Sequence, residues 1–454
     1  MNPRVRLVPL GIAVSLSVAM GACKRPLGEI IGMSESIAPF ERPPYVQAVD
    51  TTSAIVRWLA APGGSDRLEY RIGEDDWRQI EAERSRDTIA GVTGPVVSRT
   101  ARLEGLSVGA PVEYRVTSGG RLIGPFTFRT APRAADSDTV RVLAFGDSGW
   151  GSDEQIMLAD GMLAERLDLA IHMGDIAYQV GSEADFTLRH FQVYADLLAR
   201  IPFFPSPGNH DLRVDGGAPY DRAFVFEGPY DDGRFYSFRW GDVFFLSIDT
   251  TDEALPEHED NPFESELARG DAEGRRESDG AMLRDGRGRE FEWIADQLRT
   301  ASADPSVRWI LAFMHDPPYS HAEGLSAHGS DVRIQRAISP LFDRFGVDLV
   351  LAGHDHHYER TTPILDRRVR AAGCGPVYIV TGGGGASRLA RGIAPGPLLE
   401  IATREHHYVR LVITGRVIRG EAVGVRGQTL DAFQVLPFAG LDEAGEPIDE
   451  SCAD

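Results

Sequence analysis

The sequence predicts a β-sandwich module followed by an α/β layered domain. Its 454 residues are enough for two or three domains. Between Pro43 and Pro132, short runs alternate apolar and polar residues and are separated by Gly and Pro, a pattern typical of the strands of a sandwich. From Ala134 onward, apolar runs alternate with helical patterns, which predicts helices layered on a sheet.

The first residues predict an export signal. Arg4 and Arg6 precede an apolar run over residues 7–20 that is too short to span a bilayer comfortably. The run ends in MGAC, and this stretch resembles the lipobox of bacterial lipoproteins, in which the cysteine, here Cys23, is acylated. We therefore expect a lipoprotein-type signal peptide over residues 1–22 and a tether over residues 23–42. A lipid-anchored protein would be exported to the bacterial envelope, in the periplasm or at the cell surface. The alternative is a soluble secreted protein cut nearby.

Charge and cysteine content exclude other classes. The formal net charge of −21 argues against a nucleic-acid partner, because an acidic surface repels a phosphodiester backbone. Three cysteines are too few for a disulfide scaffold. If Cys23 carries lipid, Cys374 and Cys452 either form a disulfide that ties down the acidic C-terminal tail, residues 437–454, or remain two thiols. Nothing in the sequence fixes the distance between them.

The module and the domain are each predicted from specific runs. Alternating runs at 53–58, 68–72 and 126–129 are strands of the module. In the domain, predicted over residues 135–436, the expected buried strands are 140–145, 167–173, 309–314, 348–352 and 377–381. Residues 153–166 form a predicted amphipathic helix, and 408–413 and 417–425 are predicted closing antiparallel strands. The charged stretch 251–290 lacks an apolar period and is predicted to be an insert loop.

Five short polar blocks follow the predicted buried strands. They are Gly146-Asp147-Ser148-Gly149, Gly174-Asp175-Ile176-Ala177-Tyr178, Gly208-Asn209-His210-Asp211, His315, and Gly353-His354-Asp355-His356. Each block alone is a weak signal, since a strand-end Asp often caps a helix and a single His is often a hydrogen-bonded core residue. Together they predict one site, because ligands of open α/β sheets bind at the carboxyl ends of the strands.

The donor types in these blocks predict a metal pair. The blocks offer carboxylates, an amide, imidazoles and one phenol, and no thiolate, so they suit hard and borderline cations. Two ions can share the site if one carboxylate bridges them. A phenol with a pKa of about 10 loses its proton at neutral pH only beside a strongly acidic cation, which favours iron(III). The resulting positive centre would attract phosphate despite the acidic chain.

The order of the blocks resembles the purple acid phosphatases among the calcineurin-like metallophosphoesterases. The sequence shows GDxG, GDxxY, GNH, a strand-end His and GHxH, and the likeness continues through residues 356–360, HHYER. Leu103, Leu106, Pro111 and Tyr114 are similar to the tyrosine-corner stretch of fibronectin type III domains, which plant-type members carry in front of the catalytic domain. The resemblance implies an αββα sandwich metallophosphoesterase domain. The insert at 251–290 has no clear counterpart in the family.

The resemblance also implies a role for each donor. Asp147, Tyr178 and His356 would hold iron(III), Asn209, His315 and His354 would hold a divalent ion (iron, zinc or manganese), and Asp175 would bridge the two. His210 would stand near the leaving group. His321 resembles the histidine found beyond the metal ligands in plant-type members, and His328 is the competing candidate.

The implied reaction is hydrolysis of a small phosphomonoester by attack of a metal-bound hydroxide, with His210 donating to the departing alkoxide. A phosphodiesterase or phytase-like activity is an alternative for the same site. A surface scaffold with an inert phosphoesterase domain is an alternative of another class, although all seven donors are present. The lipid anchor would be the only contact with a membrane, and the oligomeric state stays open.

Other residues have modest expected roles. Gly382 to Gly385 could cradle phosphate through backbone N–H groups, or could form a turn that passes close to the metals. Asp211 is expected to fix the GNH loop by hydrogen bonds. His357 should point away from the metals because neighbouring residues on an extended chain face opposite ways. His406 and His407 are expected to serve packing or solvent contact.

Overall fold

A computed structural model describes residues 40–134, 136, 139–225, 234–251, 279–323, 328–386 and 392–453. The predicted signal peptide and most of the predicted tether lie outside the described residues, as does most of the predicted insert. Among the residues that are described, no helix combines the length and the apolar character needed to cross a membrane.

The N-terminal module is a sandwich of two four-stranded antiparallel sheets. One sheet has the order β1-β2-β6-β5 and the other the order β4-β3-β7-β8. The strands are β1 Phe40–Gln47, β2 Ala54–Ala60, β3 Asp66–Ile72, β4 Arg78–Glu81, β5 Glu83–Ala90, β6 Pro95–Leu103, β7 Pro111–Ser118 and β8 Arg121–Arg129. The predicted strands 68–72 and 126–129 lie within β3 and β8, and the predicted strand 53–58 overlaps β2 from Ala54 onward.

The second domain contains two large mixed sheets. The six-stranded sheet has the order β11-β10-β9-β23-β24-β25, and the seven-stranded sheet the order β12-β13-β14-β16-β20-β17-β22. Its strands are β9 Thr139–Phe145, β10 Leu169–Met173, β11 Phe203–Ser206, β12 Tyr236–Trp240, β13 Val243–Ser247, β14 Trp309–Phe313, β15 Ala322–Glu323, β16 Leu349–Ala352, β17 Tyr358–Thr361, β18 Ile364–Leu365, β19 Arg368–Val369, β20 Val377–Thr381, β21 Gly392–Ile393, β22 Leu399–Thr403, β23 His407–Thr414, β24 Ile418–Gly424 and β25 Thr429–Val435. The short strands β15 and β21 pair with each other, as do β18 and β19.

Helices cover the outer faces of these sheets. They are α1 Asp153–Leu163, α2 Glu183–Phe186, α3 Ala195–Leu198, α4 Ala218–Ala223, α5 Asp279–Arg284, α6 Gly288–Ala303 and α7 Val332–Phe345, and Thr187–Phe191 is a π-helical turn. Side-chain caps begin two of the longer ones: the Ser152 hydroxyl accepts from Gln155 N, and the Asp331 carboxylate accepts from Arg333 N and Ile334 N. Gly346 ends α7 in the left-handed conformation that glycine adopts readily.

The layering follows from strands that are apolar on both faces. In β9, Val142 packs into the cluster between the two sheets, whereas its neighbour Leu143 packs with the helices of the outer layer. In β14, Leu311 and Ile310 divide in the same way. Successive side chains of a strand point to opposite faces, so each sheet is buried on both sides. The predicted fold class, a sandwich module followed by an αββα layered domain, is confirmed.

Parallel pairing brings the predicted blocks to one edge. Strands β9, β10 and β11 are parallel neighbours, and so are β13, β14, β16 and β20. The carboxyl ends of these strands therefore face the same side of the domain, where the GDSG, GDIAY, GNH, His315 and GHDH blocks begin.

The module is joined to the second domain by buried polar contacts. Every residue of β1 is buried. Arg42 Nε donates to the Thr187 hydroxyl at 2.9 Å, and its guanidinium pairs with Glu183. The Tyr45 hydroxyl donates to the carbonyl oxygen of Ala223 at 3.0 Å. The last residues of the predicted tether, 40–42, therefore lie in a strand, because these contacts bury them.

Tyr114 is also an interface residue. In a tyrosine corner the hydroxyl returns to the backbone a few residues upstream. Here the Tyr114 hydroxyl donates across the interface to the carbonyl oxygen of Ala199, at 2.7 Å. The residue pattern that resembles a tyrosine corner thus has a different hydrogen-bond partner in this chain.

The insert and the tail also differ from the sequence expectation in detail. Helices α5 and α6 begin at Asp279 and Gly288, so the last part of the stretch predicted to be an aperiodic loop over 251–290 is helical. In the tail, Cys452 is bonded to Cys374, with the two Cα atoms 5.3 Å apart. Of the two alternatives for this cysteine pair, the structure has the disulfide.

Candidate metal centre

The loops that carry the donors have unusual backbone geometry. Asp147, Asp175 and His354 all have left-handed backbones, with φ of 55°, 54° and 68°. L-residues with a side chain adopt this region rarely and at a cost, so such residues are commonly found where function requires them. Each follows the carboxyl end of a buried strand.

Three donors form a first group. The Tyr178 hydroxyl lies 3.0 Å from Asp147 Oδ1 and 2.8 Å from His356 Nε2, and His356 Nε2 lies 3.2 Å from Asp147 Oδ1. All three side chains are buried. These are the three residues that the family resemblance assigns to iron(III).

The other three form a second group. His315 Nε2 lies 3.0 Å from Asn209 Oδ1 and 3.0 Å from His354 Nδ1. The second ring nitrogen of His315, Nδ1, donates to the carbonyl oxygen of Met173 at 2.8 Å, which fixes the orientation of the ring. These are the three residues that the resemblance assigns to the divalent ion.

Asp175 lies between the two groups. Its carboxylate, that of Asp147 and the ring of His356 place one ligand atom each within 4.8 Å of one another. On the other side, Asp175 Oδ1 lies 3.6 Å from His315 Nε2. All seven predicted donors therefore meet in one place, with Asp175 in contact with both groups.

Burial and neighbouring charges set the pKa values of the side chains in this cluster. Burial raises the pKa of Asp147, and burial together with Asp147 and Asp175 raises the pKa of Tyr178 well above the usual tyrosine value. Burial also opposes ionisation of Asp175, but His315 and His210 lower its pKa overall. Burial disfavours the charged form of His315, yet Asp175 and Asp147 raise its pKa to about 9.

The donor set fits a pair of cations. Two carboxylates, a phenol, an amide oxygen and three imidazole nitrogens face one another at about 3 to 5 Å. A bound cation of high charge would favour the anionic forms of Asp147 and Tyr178, which burial alone disfavours. The described residues therefore contain a candidate metal site.

His210 lies at the rim of the cluster. Its Nδ1 donates to the carbonyl oxygen of Gln179 at 2.6 Å, and Arg213 Nη2 lies 3.2 Å from its Nε2. The Nε2 atom is 3.9 Å from Asp175 Oδ2, and the ring packs on Tyr178 with 4.3 Å between centroids. Burial lowers the pKa of His210 to about 4, and the Asp175 carboxylate offsets this in part.

The two competing histidines occupy different surroundings. His321 is held by Glu359, with 2.6 Å between Nδ1 and Oε1, and this hydrogen bond raises the pKa of His321. His328 packs its ring on the predicted ligand His354, with 3.9 Å between centroids. The sequence favours His321, but it is His328 whose ring touches a predicted metal ligand.

Backbone contacts fix the loops. Asp211 accepts hydrogen bonds from the backbone N atoms of Ile176, Ala177 and Gly208, each at 2.9 Å, and so ties the GNH block to the GDIAY block, as expected. His357 lies against Glu359, with Nε2 3.0 Å from Oε2.

The glycine turn packs directly against the first donor loop. Gly384 N donates to the carbonyl oxygen of Gly146, and a side chain at Gly382 would lie 2.8 Å from Asp147 Oδ2. Of the two expectations for these glycines, this geometry matches the turn that passes close to the donor cluster. His407 is buried beneath it and contacts the Thr381 hydroxyl at 3.0 Å, whereas Nδ1 of His406 lies 3.3 Å from Gly383 O.

Two charged residues beside the cluster escape sequence reasoning. Asp316 is buried next to His315; burial opposes its ionisation, but Arg284 and the histidines His354 and His315 lower its pKa to about 2. Arg213 lies beside His210. Both stand within three residues of a predicted functional residue, which is the only sequence signal that could have singled them out.

Comparisons with known proteins agree with this architecture. The calcineurin-like phosphoesterase family matches residues 140–358. Human acid phosphatase type 7 is 27% identical over 335 residues, covering 68% of this chain and 70% of that protein. Purple acid phosphatase 15 of Arabidopsis thaliana is 26% identical over 200 residues, covering 42% of this chain and 30% of that protein.

A solved structure shares the fold. The purple acid phosphatase PPD1 from yellow lupin seeds superposes with a TM-score of 0.67 at 19% identity, covering 87% of this chain and 74% of that chain. The structural match extends over the module as well as the catalytic domain. The chain is therefore a phosphoric ester hydrolase that carries a calcineurin-like phosphoesterase domain, and purple acid phosphatases are among its homologues.

Proposed function

We propose that this protein is an exported, metal-dependent acid phosphatase that hydrolyses phosphomonoesters at a dinuclear iron(III)–divalent metal centre. One observation carries the proposal: two groups of three donors, each with internal contacts of about 3 Å, meet at the carboxylate of Asp175. A cluster that merely stabilised the fold would not need to bury two carboxylates and a phenol together.

The proposed ligands follow these groups. Asp147, Tyr178 and His356 would hold iron(III), Asn209, His315 and His354 would hold iron, zinc or manganese in the divalent state, and Asp175 would bind both ions. When bound, the two ions supply positive charge and Lewis acidity, which hold a phosphate group and acidify the attacking water. The phenol of Tyr178 supports the choice of iron(III), because only a strongly acidic cation stabilises a phenolate at neutral pH.

The chain itself orients and protonates the substrate in this proposal. His210 has its Nδ1 fixed by Gln179, so its Nε2 faces the cluster beside Asp175. In the neutral ring Nε2 carries no proton, so the donor to a departing alkoxide is the imidazolium form, which burial disfavours and the Asp175 carboxylate favours. His321 is proposed as a second catalytic histidine. His328 remains the alternative candidate for this role, because its ring packs on His354. Comparing kcat for His321→Ala and His328→Ala distinguishes them, and the larger loss identifies the residue that acts on substrate.

The substrate class is tested with a pair of synthetic esters. We expect faster turnover of a mono-aryl phosphate than of the corresponding bis-aryl phosphate. Faster turnover of the diester would favour the phosphodiesterase alternative, and a preference for inositol polyphosphates would favour the phytase-like alternative.

The metal assignment is tested by spectroscopy and elemental analysis. We expect iron and a second metal in the purified protein, together with a visible charge-transfer band. Tyr178→Phe should abolish the band, whereas Tyr236→Phe, which changes a buried tyrosine that donates to Pro205 instead, should retain it. A band that survives Tyr178→Phe contradicts the phenolate assignment. A protein without metals and without activity after adding them would be the inert scaffold.

Export and lipid anchoring form the last part of the proposal, and they rest on the sequence of residues 1–23. We expect the full chain to fractionate with membranes through a lipid on Cys23, and Cys23→Ser to release a soluble form. A wild-type protein found in the soluble exported fraction would favour cleavage without a lipid.

A further inference from the structure

In the second donor group, one ring nitrogen of His354 faces away from the cluster. Nδ1 of His354 faces His315, at 3.0 Å from its Nε2, so the other nitrogen, Nε2, points outward. There it faces the carboxylate of Asp316, with 3.7 Å between His354 Nε2 and Asp316 Oδ1, an ion-pair separation that is longer than a direct hydrogen bond. Metal-binding histidines almost always give their second ring nitrogen to a carboxylate or a carbonyl oxygen, which fixes the ring and increases its basicity.

Asp316 is itself held in place through its other oxygen. The Thr250 hydroxyl donates to Oδ2 at 2.7 Å and accepts from the backbone N of Asp316 at 3.0 Å. Arg284 Nη2 lies 3.1 Å from the same Oδ2. Because Thr250 and Arg284 both bind Oδ2, the carboxylate is oriented with Oδ1 toward His354.

The residues that hold Asp316 come from both sides of residues 252–278. Thr250 lies before that segment, and Arg284 is the last residue of α5, the first helix after it. Arg284 is almost fully buried, and it also pairs with Asp331, the capping residue of α7, at 2.9 Å between Nε and Oδ2. The Thr250–Arg284 pair thus brings the two described ends of the charged insert onto one carboxylate beside the metal centre.

We propose that Asp316 is a positioning residue for the divalent metal. Asp316 orients the ring of His354, and Thr250 and Arg284 in turn orient the carboxylate of Asp316. The inference rests on the proposed two-metal function. Removing the carboxylate should weaken the hold of His354, His315 and Asn209 on their ion about 10- to 100-fold, the usual effect of losing such a partner. The ion at Asp147, Tyr178 and His356 should be retained, because Asp316 has no contact with that group among the described residues.

The test compares three purified holoproteins. Wild type, Asp316→Asn and Asp331→Asn are dialysed against a graded series of chelator concentrations, and the metal content per chain is measured by elemental analysis. Asp316→Asn should lose one of its two ions at a chelator concentration about 10 to 100 times lower than wild type. Asp331→Asn, which alters the other partner of Arg284 and keeps a capping side chain, should follow wild type.

Each outcome decides the matter. A wild type with two ions and an Asp316→Asn protein that retains both to the same chelator concentration overturns the inference alone. Equal loss from Asp331→Asn and Asp316→Asn also overturns it, since the effect would then come from the packing of Arg284. A wild type that holds fewer than two ions overturns the two-metal proposal and this inference with it. If Asp316→Asn does not fold, Thr250→Val provides the comparison, and a selective but smaller loss of one ion is expected.

Discussion

The hydroxyl of Tyr114 offers a direct test of how strongly the module is joined to the catalytic domain. Tyr114 is fully buried, and its hydroxyl donates to the carbonyl oxygen of Ala199 at 2.7 Å. Tyr114→Phe removes that donor and leaves the ring packed on Phe126 and Phe128. A buried carbonyl that loses its partner costs about 1–3 kcal/mol, and we expect the free energy of unfolding to fall by this amount.

Urea unfolding, followed by tryptophan fluorescence and by far-UV circular dichroism, measures the change. Trp58 lies in the module and Trp309 in the catalytic domain, and both belong to one apolar cluster, so both signals should shift together. The matched control is Tyr378→Phe, because the buried hydroxyl of Tyr378 lies near Ser339 but has no hydrogen-bond partner within 3.5 Å among the described residues. Its loss should change the free energy of unfolding by less than about 0.5 kcal/mol. The reasoning is refuted if Tyr114→Phe is as stable as wild type, or if both variants lose the same stability.

Three further predictions concern the site and the tail. In Gly149→Ala, the added Cβ would lie 1.8 Å from the carbonyl oxygen of Ile176, so the variant should lose activity and about 3 kcal/mol of stability or more, measured by thermal unfolding and phosphatase assay. Cys452→Ser opens a disulfide that joins residues 78 positions apart, and should cost about 4 kcal/mol in urea; a reduced wild type of undiminished stability would contradict this. Glu359 raises the pKa of His321, so the stability that the pair contributes is complete below about pH 6.5 and declines as pH rises through the raised pKa. The difference in urea midpoint between wild type and His321→Gln should therefore shrink from mildly acidic to alkaline pH, and a constant difference would contradict the assignment.

Much of the fold is predictable because its central strands are buried on both faces. Residues 377–381 are predicted as a strand and are the strand β20, and the prediction for 140–145 misses only Thr139 of β9. A continuous apolar run bounded by glycine is a local signal, so it can be found without knowing its neighbours. The edges of elements depend on neighbours. The sequence assigns residues 40–42 to the tether, because Glu183 and Thr187, the partners that bury Arg42, lie about 140 positions away along the chain.

The candidate site is also predictable from local sequence only in part. The convergence of the donor blocks follows from parallel strands, whose carboxyl ends share an edge. The roles of Asp316 and Tyr114 do not follow from local sequence, because their partners Arg284 and Ala199 come from distant elements. Local sequence cannot decide between His321 and His328 for the same reason. Both follow the His315 block, and only the folded structure shows that the ring of His328 packs on His354.

The burial of β1 has a consequence for how this chain can be divided or recombined. Tyr45 packs against Phe191 in a tilted arrangement with 4.5 Å between ring centroids, and the guanidinium of Arg42 lies over the same ring. A fragment that began after the last strand of the sandwich would expose the Phe191 ring and the Glu183 carboxylate to water. The N-terminal module therefore cannot be exchanged for another sandwich without replacing these contacts to the catalytic domain. A gene fusion that replaced the N-terminal part would need to supply an arginine and a tyrosine at matching positions.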